Sequence, residues 1–302
     1  VGTASYGIID KAPLKFLKKN GALVHKNPFG RRPTERELID FLQGMDGLIA
    51  GLEPLTERVL VSSAKTLKAI SRVGIGLDSI DLKVAKKLGI QISNTPDAPS
   101  FAVAENTLAA LLCIYRKIAH VNDAMHCRKW EKKIGKSLQG STIALIGYGR
   151  IGKIVSRLLQ PFGCRILIID PLIKKEDLQF RNEAITDLET AISQSDVISF
   201  HCSGKKMILD KKKINLLKPG VTILNSARAE LIDESLLIEG IKSGIIWHAW
   251  IDVFETEPYK GPLCDLPKII LSPHNATFTK QCRQDMEMQA AVNLINDLNG
   301  VI

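Results

Sequence analysis

Apolar residues along the chain form two series of short runs, separated by amphipathic stretches. The first series lies within the first 95 residues, where strand-length runs occur at 22–25, 47–50, 67–72 and 90–94. Between them, apolar residues show helical spacing near 13–20, 34–44, 56–63 and 79–88. This alternation predicts a parallel sheet covered by helices.

The second series begins after a proline-broken connection at 94–99 and an apolar helix predicted over 101–118. Its six strand candidates are 142–146, 165–169, 196–200, 221–224, 245–251 and 268–271. Six strands with interleaved helices make a complete doubly wound sheet. The last predicted helix, 280–299, follows an irregular joint at 272–279 and is expected to return to the first series.

Three glycines follow the first strand of the second series, in Gly147-Tyr148-Gly149-Arg150-Ile151-Gly152. Gly147 makes a tight turn, Gly149 lets a pyrophosphate approach the backbone, and Gly152 lets helix and strand pack closely. The helix start offers N–H groups to phosphates. Asp170 ends the next strand, where it can bind ribose hydroxyls and repel a 2′-phosphate. The pattern predicts NAD as the cofactor.

Together these patterns predict an α/β fold of two doubly wound parallel-sheet domains. A Rossmann NAD-binding domain over 97–277 is expected to be inserted in a flavodoxin-like substrate-binding domain formed by 1–96 and 278–302. The chain opens at Val1 without Met and within a strand-like run, so a few earlier residues are expected.

The net charge and the composition limit the kinds of molecule that this chain is expected to bind. Forty-one basic and 32 acidic side chains give a formal charge of +9, which attracts anionic cofactors and substrates. Nucleic-acid binding is the competing interpretation, but the lysines are dispersed along helices and aromatic residues make up only 5%. No apolar run approaches the roughly 20 residues of a membrane span, and no secretory leader is visible. The six cysteines form no C-x-x-C pair, which indicates reduced thiols in a cytoplasm and no metal site.

Every strand of the second series is followed by glycine or by polar residues. These are Gly147, Asp170, His201, Asn225-Ser226-Ala227-Arg228, Asp252 and Ser272-Pro273-His274. Ligands of an open parallel sheet bind beyond the carboxyl ends of its strands, so these positions predict an active-site rim. Hydride transfer from a hydroxyl-bearing carbon needs a base, a cation for the anionic end of the substrate, and a group that tunes the base.

Three residues fit these roles. The imidazole of His274 can accept and return a proton near neutral pH. The planar guanidinium of Arg228 matches a carboxylate. Glu257, five residues after Asp252, can pair with His274 and favour its protonated form. His201 also ends a strand and is the alternative base, but His274 is preferred because it lies at the joint between the two series.

With these residues the chain resembles the D-isomer-specific 2-hydroxyacid dehydrogenases over essentially its full length, most closely the short form of D-3-phosphoglycerate dehydrogenase. Besides the glycine motif, the resemblance rests on five groups of residues. They are residues 71–78, Asn94-Thr95-Pro96 with 103–105, Asn225-Ser226-Ala227-Arg228, Asp252-Val253-Phe254 with Glu257-Pro258, and Ser272-Pro273-His274.

The resemblance implies that Arg228, Glu257 and His274 are catalytic and that Asp252 binds the nicotinamide carboxamide. It implies substrate contacts from Val73, Gly74, Ile75, Gly76, Asn94, Arg228 and His274. The implied cofactor contacts are Gly147, Tyr148, Gly149, Arg150, Ile151, Gly152, Asp170, His201, Cys202, Ser226, Ala227, Arg228, Asp252, His274 and Ala276. It also implies a homodimer formed through the cofactor domain, with the 101–118 helix contributing.

Three places depart from the usual family pattern. Ala229 stands where Gly usually follows the catalytic Arg, and Cys202-Ser203-Gly204 stands where Pro-Leu-Thr usually follows His201. Gly51-Leu52-Glu53 replaces the Arg-Ser of many phosphoglycerate members, which leaves no obvious cation for a phosphate.

The expected reaction is hydride transfer between NAD(H) and a D-2-hydroxy acid or 2-keto acid. Candidate substrates are the 3-phosphoglycerate/phosphohydroxypyruvate pair, glyoxylate or hydroxypyruvate, and D-lactate-type acids. The alternative from a different class is an NAD-sensing, co-repressor-like binding protein.

Overall fold

The computed structural model describes residues 1–204 and 206–300. The chain divides into two compact units, one of residues 1–99 with the described residues from 277 onward, the other of residues 100–276. The sequence places the two breaks at 96/97 and 277/278.

The smaller unit contains a parallel sheet of β1 (Gly47–Ala50), β2 (Ala69–Arg72) and β3 (Gln91–Asn94), with β2 in the middle. Its helices are α1 (Ala12–Lys19), α2 (Glu35–Phe41), α3 (Glu57–Ser63), α4 (Leu82–Lys87) and the C-terminal helix (Lys280–Leu298). A capping box of Thr34 and Glu37 begins α2, and Asp81 caps α4. Helices α2 to α4 share a buried apolar core with the strands. The C-terminal helix packs on the three strands and on α1.

The strand expected at 22–25 is wrong. The Val1 ammonium donates to His25 O over 2.7 Å, Asn27 N donates to Val1 O over 2.9 Å, and Gly2 N donates to Ile49 O over 2.9 Å. Residues 1–2 thus lie between the 25–27 segment and β1, but the chain turns at 4–7 before a ladder can form. An apolar run becomes a strand only where a ladder of backbone hydrogen bonds forms, and the two bonds between Val1 and residues 25–27 do not make one.

The larger unit is built on one seven-stranded parallel sheet. Its strands are β4 (Thr142–Ile146), β5 (Arg165–Ile169), β6 (Glu183–Ile185), β7 (Val197–Phe200), β8 (Val221–Asn225), β9 (Ile246–Ile251) and β10 (Ile269–Leu271). They lie in the order β10-β9-β8-β7-β4-β5-β6, so the strand order reverses between β4 and β7. The sequence predicted six of the seven and missed the edge strand β6, which has three residues and begins with a glutamate.

Helices cover both faces of this sheet. They are α5 (Ala98–Tyr115), α6 (Ile118–His126), α7 (Arg150–Leu159), α8 (Leu188–Gln194), α9 (Lys211–Ile214) and α10 (Glu234–Ser243), and the C-terminal helix is therefore α11. Short 3₁₀ turns occur at Gln160–Phe162, Lys175–Asp177, Ala229–Leu231 and Pro262–Asp265. Asp187, Asp210 and Asp233 cap α8, α9 and α10. One apolar core contains residues of α8, α9 and α10, and the other contains residues of α5 and α7.

Among the described residues, α5 is the one helix that is long and apolar enough, by length and composition, to cross a membrane. The sequence had indicated no run of that length. Slightly more than half of its span, 56%, is buried inside the structure. Leu111, Ile114 and Tyr115 pack in the same core as β4 and β5, as expected of a core helix in an α/β domain.

A buried ion pair joins α11 to the N-terminal turn of the smaller unit. Arg283 Nη2 lies 2.6 Å from Glu287 Oε1, and the side chains are 8% and 1% exposed. Glu287 Oε2 accepts from Gly7 N over 2.8 Å, and Tyr6 Oη donates to the Glu287 carbonyl over 2.8 Å. The Arg283 guanidinium also lies over the Phe278 ring, 5.1 Å from its centroid.

We expect Arg283→Met to lower the free energy of unfolding by about 3–5 kcal/mol, because it leaves the Glu287 carboxylate buried without its cation. Urea denaturation measures the loss. Lys133→Ala, which breaks the exposed Lys133–Glu131 pair, is the control and should change little. A loss below about 1 kcal/mol in Arg283→Met would show that the pair does not stabilise this junction.

Candidate active site

Two loops meet where the strand order of the larger sheet reverses. Gly147 follows β4 and His201 follows β7, and these two strands are hydrogen-bonded neighbours. Gly147 has φ of +98°, and an added Cβ would lie 2.6 Å from Cys202 N. Glycine is therefore required here both for backbone conformation and for space. In open α/β sheets, a ligand crevice lies outside such a reversal point.

The start of α7 has the form of a phosphate site. Gly149 is the N-cap residue and supplies no side chain to the first N–H groups of the helix. A Cβ added at Gly149 would meet nothing within 4 Å, whereas one added at Gly152 would lie 2.2 Å from Gly147 O. The open space at Gly149 would let a pyrophosphate approach the backbone, and the close contact at Gly152 lets the helix pack on the turn. These residues therefore fit a dinucleotide.

Asp170, at the end of β5, is held by the backbone on both sides. Its Oδ2 accepts from Tyr148 N over 2.8 Å, and its Oδ1 accepts from Leu172 N over 2.9 Å. The Tyr148 side chain is fully buried and its hydroxyl donates to Glu183 Oε1 over 2.5 Å. Tyr148 can thus offer a cofactor only its backbone. Glu183 was not singled out from the sequence, because it lies in the edge strand that the apolar pattern missed.

A buried carboxylate organises the turn that follows β10. Asp252, fully buried at the end of β9, accepts from Ser272 Oγ over 2.5 Å, Asn275 N over 3.0 Å and Ala276 N over 3.1 Å. Trp250 Nε1 donates to the same Ser272 hydroxyl over 2.8 Å. Burial raises the pKa of Asp252, and these hydrogen bonds oppose the increase. The predicted cofactor contacts Asp252 and Ala276 therefore touch each other directly.

His274 lies at the centre of this turn and faces Glu257. The distances from His274 Nδ1 to Glu257 Oε1 and Oε2 are 3.0 and 3.1 Å. The backbone of His274 has φ of +51°, and its N–H donates to Ser272 O over 2.9 Å. Since Glu257 engages Nδ1, Nε2 is the ring nitrogen left for a substrate. The structure thus brings together the pair that the sequence predicted.

The loop that holds Glu257 is fastened at its base. The rings of Phe254 and Tyr259 stack with centroids 4.4 Å apart at 22°, and Phe254 N donates to Glu257 Oε1 over 3.3 Å. Tyr259 Oη accepts from Leu263 N over 3.1 Å. These contacts close the loop on itself and keep Glu257 directed at the imidazole.

Arg228 follows β8 in a segment that Asn225 folds back. The Asn225 side chain, 2% exposed, accepts from Ala227 N over 3.0 Å and donates to Arg228 O over 2.8 Å. The Arg228 guanidinium donates to Ala227 O over 2.6 Å. Because β8, β9 and β10 are adjacent and parallel, the segments that carry Arg228, Asp252 and His274 lie at one edge of the sheet.

The alternative base, His201, has different surroundings. Its Nε2 bonds to Ser199 Oγ over 2.8 Å, and its Nδ1 is buried with no hydrogen-bond partner among the described residues. Burial lowers the pKa of His201 to about 4, so it is neutral near pH 7. A neutral imidazole cannot start as the acid in a reduction, and this geometry favours His274.

The remaining predicted substrate contacts belong to the smaller unit. Gly74 N donates to Thr95 Oγ1 over 2.7 Å, and Asn94 Nδ2 donates to Ile75 O over 2.8 Å. The turn after β2 is therefore held by the last residue of β3 and by the residue that follows it. Val73 is buried and Ile75 is 37% exposed. Thr95 supports the turn through its side chain.

The six cysteines are free thiols, and burial raises the pKa of Cys202 beside the glycine turn. Within the described part of the chain, no three His, Cys, Asp or Glu side chains form a group that could hold a metal ion.

Residues 108–276 match the family model described as D-isomer specific 2-hydroxyacid dehydrogenase, NAD binding domain. A hydroxypyruvate reductase of Thermotoga maritima is 34% identical over 271 residues, which is 87% of this chain and 88% of that protein. A glyoxylate reductase of Thermofilum pendens is 32% identical and covers 97% of this chain and 90% of its own length. A D-3-phosphoglycerate dehydrogenase of Archaeoglobus fulgidus is 30% identical over 97% of this chain, which spans 56% of that protein.

Comparison with solved structures shows a similar fold in other proteins. The TT0316 protein of Thermus thermophilus superposes with a TM-score of 0.87 at 30% identity, over 95% of this chain and 94% of that one. A D-lactate dehydrogenase of Aquifex aeolicus, solved with NAD and lactic acid, has a TM-score of 0.84 at 25% identity. It covers 96% of this chain and 93% of its own.

We expect His201 to make the fold acid-sensitive. Its pKa is 6.5 when unfolded and about 4 when folded, so between these values the unfolded chain takes up a proton that the folded chain does not. The free energy of unfolding therefore falls as pH falls, by about 2 kcal/mol from pH 8 to pH 5 for this group.

Denaturation at both pH values measures this contribution. In His201→Gln the loss between pH 8 and pH 5 should shrink by about 2 kcal/mol, whereas His120→Gln, at an exposed histidine, should keep the full loss. An equal pH dependence in His201→Gln and the wild type would contradict the assignment.

Proposed function

Because the chain belongs to the D-isomer specific 2-hydroxyacid dehydrogenase family, we propose that it transfers a hydride between NAD(H) and a small D-2-hydroxy acid or its 2-keto acid. The proposal rests above all on the Glu257–His274 pair, 3.0 Å apart, on a turn that Asp252 holds at the ligand edge of an NAD-binding sheet. Arg228 supplies a cation at the same edge.

In the reducing direction, bound NADH supplies the hydride. His274 then donates a proton from Nε2 to the carbonyl oxygen as negative charge develops there. The Glu257 carboxylate stabilises the imidazolium that must be present at the start. Arg228 binds the substrate carboxylate and polarises its carbonyl group. In the oxidising direction the same residues act in reverse, with His274 as the base.

We further propose that the preferred substrates are short and unphosphorylated, such as glyoxylate or hydroxypyruvate. Glu53 is 2% exposed, and its carboxylate accepts from Gly51 N directly after β1. This loop neighbours the turn at 73–76, because Val73 N donates to Ala50 O over 2.8 Å. Because Glu53 already accepts from Gly51 N, this loop does not offer that backbone donor to a phosphate.

A panel of glyoxylate, hydroxypyruvate, pyruvate and phosphohydroxypyruvate tests the proposal, with NADH and NADPH as cofactors. We expect turnover of about 1 to 1,000 per second on one unphosphorylated acid and preference for NADH, because Asp170 repels a 2′-phosphate. Arg228→Ala should lose about 2–5 kcal/mol of transition-state binding. Tight NADH binding without turnover on any acid would instead favour a co-repressor-like binding protein.

We also propose a homodimer formed through the larger unit. Trp130 and Ile134 are 80% and 94% exposed, in a segment that follows the partly exposed Ile118 and Met125. Contiguous exposed apolar side chains are typical of protein interfaces. Sedimentation equilibrium measures the mass of the particle, and a monomer at micromolar concentration would contradict this proposal.

The acid–base pair makes a separate prediction about pH. Glu257→Gln removes the charge that stabilises the His274 imidazolium, so reductive kcat/KM should begin to fall at a lower pH than in the wild type. His274→Ala should slow the chemical step far more than it weakens NADH binding. His201→Ala is the matched control, since that imidazole is already neutral. If Glu257→Gln leaves the alkaline limb in place and His201→Ala removes it, His201 is the acid.

A further inference from the structure

Glu183, the first residue of the edge strand β6, is a buried carboxylate with four hydrogen-bond donors. Its Oε1 accepts from the Tyr148 hydroxyl over 2.5 Å and from the Ser156 hydroxyl. Its Oε2 accepts from Gln179 N over 2.7 Å and Phe180 N over 2.9 Å. The side chain is 7% exposed. A carboxylate is stable at such a site only when both oxygens are satisfied, and here they are.

The four donors come from three separate pieces of the cofactor-binding unit. Tyr148 belongs to the glycine turn, Ser156 to α7, and residues 179–180 to the segment that leads into β6. Tyr148 and Ser156 are both fully buried. Burial and the neighbouring Glu183 raise the pKa of Tyr148, so the phenol keeps its proton and remains a donor. Glu183 therefore connects the glycine turn and α7 to the edge strand β6.

Tyr148 extends this connection to Asp170. Its side chain bonds to Glu183, and its backbone N–H bonds to Asp170 Oδ2 over 2.8 Å. The 170–183 segment is thus fastened to one tyrosine at both ends, by the backbone at Asp170 and by the hydroxyl at Glu183. A displacement of Tyr148 would move the turn that faces the pyrophosphate together with the acid that faces the ribose.

We propose that Glu183 is a positioning residue for the adenosine half of NAD, acting through Tyr148 on the glycine turn and on Asp170. The proposal rests on NAD binding at this unit, as in the proposed function. Hydrogen bonds to two ribose hydroxyls require a carboxylate placed to within about 0.5 Å. Asp170 is bonded to the backbone of Tyr148, and Glu183 holds the side chain of the same tyrosine, so Glu183 restrains the turn to which Asp170 is bonded.

The competing explanation is that Glu183 only stabilises the fold. A variant of Ser156 distinguishes these two explanations. The Ser156 hydroxyl donates to the same Glu183 oxygen, but Ser156 lies on α7 and not in the glycine turn. A purely structural Glu183 would make Tyr148→Phe and Ser156→Ala equivalent. A positioning Glu183 makes only the tyrosine variant affect the cofactor.

The experiment measures the Kd of NADH and of NADPH by fluorescence for the wild type, Glu183→Gln, Tyr148→Phe and Ser156→Ala, each well below its melting temperature. We expect Glu183→Gln and Tyr148→Phe to raise the Kd of NADH by about 10- to 100-fold, that is about 1.4–2.7 kcal/mol. The preference for NADH over NADPH should fall with it, because Asp170 is displaced. Ser156→Ala should lower the melting temperature but change the NADH Kd by less than about threefold.

Kinetics supply a second readout, in which KM for NADH should rise more than kcat falls in Glu183→Gln. If Glu183→Gln does not fold, Tyr148→Phe against Ser156→Ala decides the question. Equal Kd values in Tyr148→Phe and the wild type, or equal changes in Tyr148→Phe and Ser156→Ala, would overturn the inference. Absence of NADH binding in the wild type would instead overturn the proposed function.

Discussion

The arrangement of the site depends on one buried carboxylate. Asp252 ends β9 and accepts three hydrogen bonds from the turn that follows β10, two from backbone N–H groups and one from Ser272. Without these acceptors the turn would bury unpaired N–H groups, which costs about 1–3 kcal/mol each. The turn therefore has one stable arrangement, and that arrangement directs His274 at Glu257. Trp250, which lies in β9, donates to the same Ser272 hydroxyl and so supports this arrangement further.

Two histidines at one sheet edge differ because their environments differ. His201 is surrounded by low-dielectric protein and bonds to a neutral hydroxyl, so its charged form is disfavoured. His274 lies beside a carboxylate and is 39% exposed at its side chain, so its ring contacts both water and Glu257. Both residues follow strands of one parallel sheet, and the sequence favoured His274 only through its position at the joint between the two series of strands. Burial and partner distinguish them.

The sequence predicted best the elements whose signal lies in one continuous stretch of residues. The bounds of β4 and β5 agree with the apolar runs, because central strands of a parallel sheet are buried on both faces. The pairing of Glu257 with His274 was also predicted, since chemistry limits which residue can tune an imidazole. The run at 22–25 failed as a strand because pairing depends on a distant partner. Glu183 was missed for the same reason, since it acts on Tyr148 and Ser156, which only the tertiary fold brings near it. Asn225 and Thr95 belong to motifs quoted from the sequence, but their supporting hydrogen bonds were not predicted.

The left-handed backbone of His274 has an energetic consequence. A φ of +51° costs a residue with a Cβ about 1 kcal/mol, a penalty that glycine does not incur. The imidazole is thus retained at this position against the local conformational preference of the chain. The hydrogen bonds that Asp252 accepts from Ser272 and Asn275, on either side of this residue, hold the turn in that conformation. The chemistry of this residue therefore depends on a backbone conformation that the surrounding turn has to enforce.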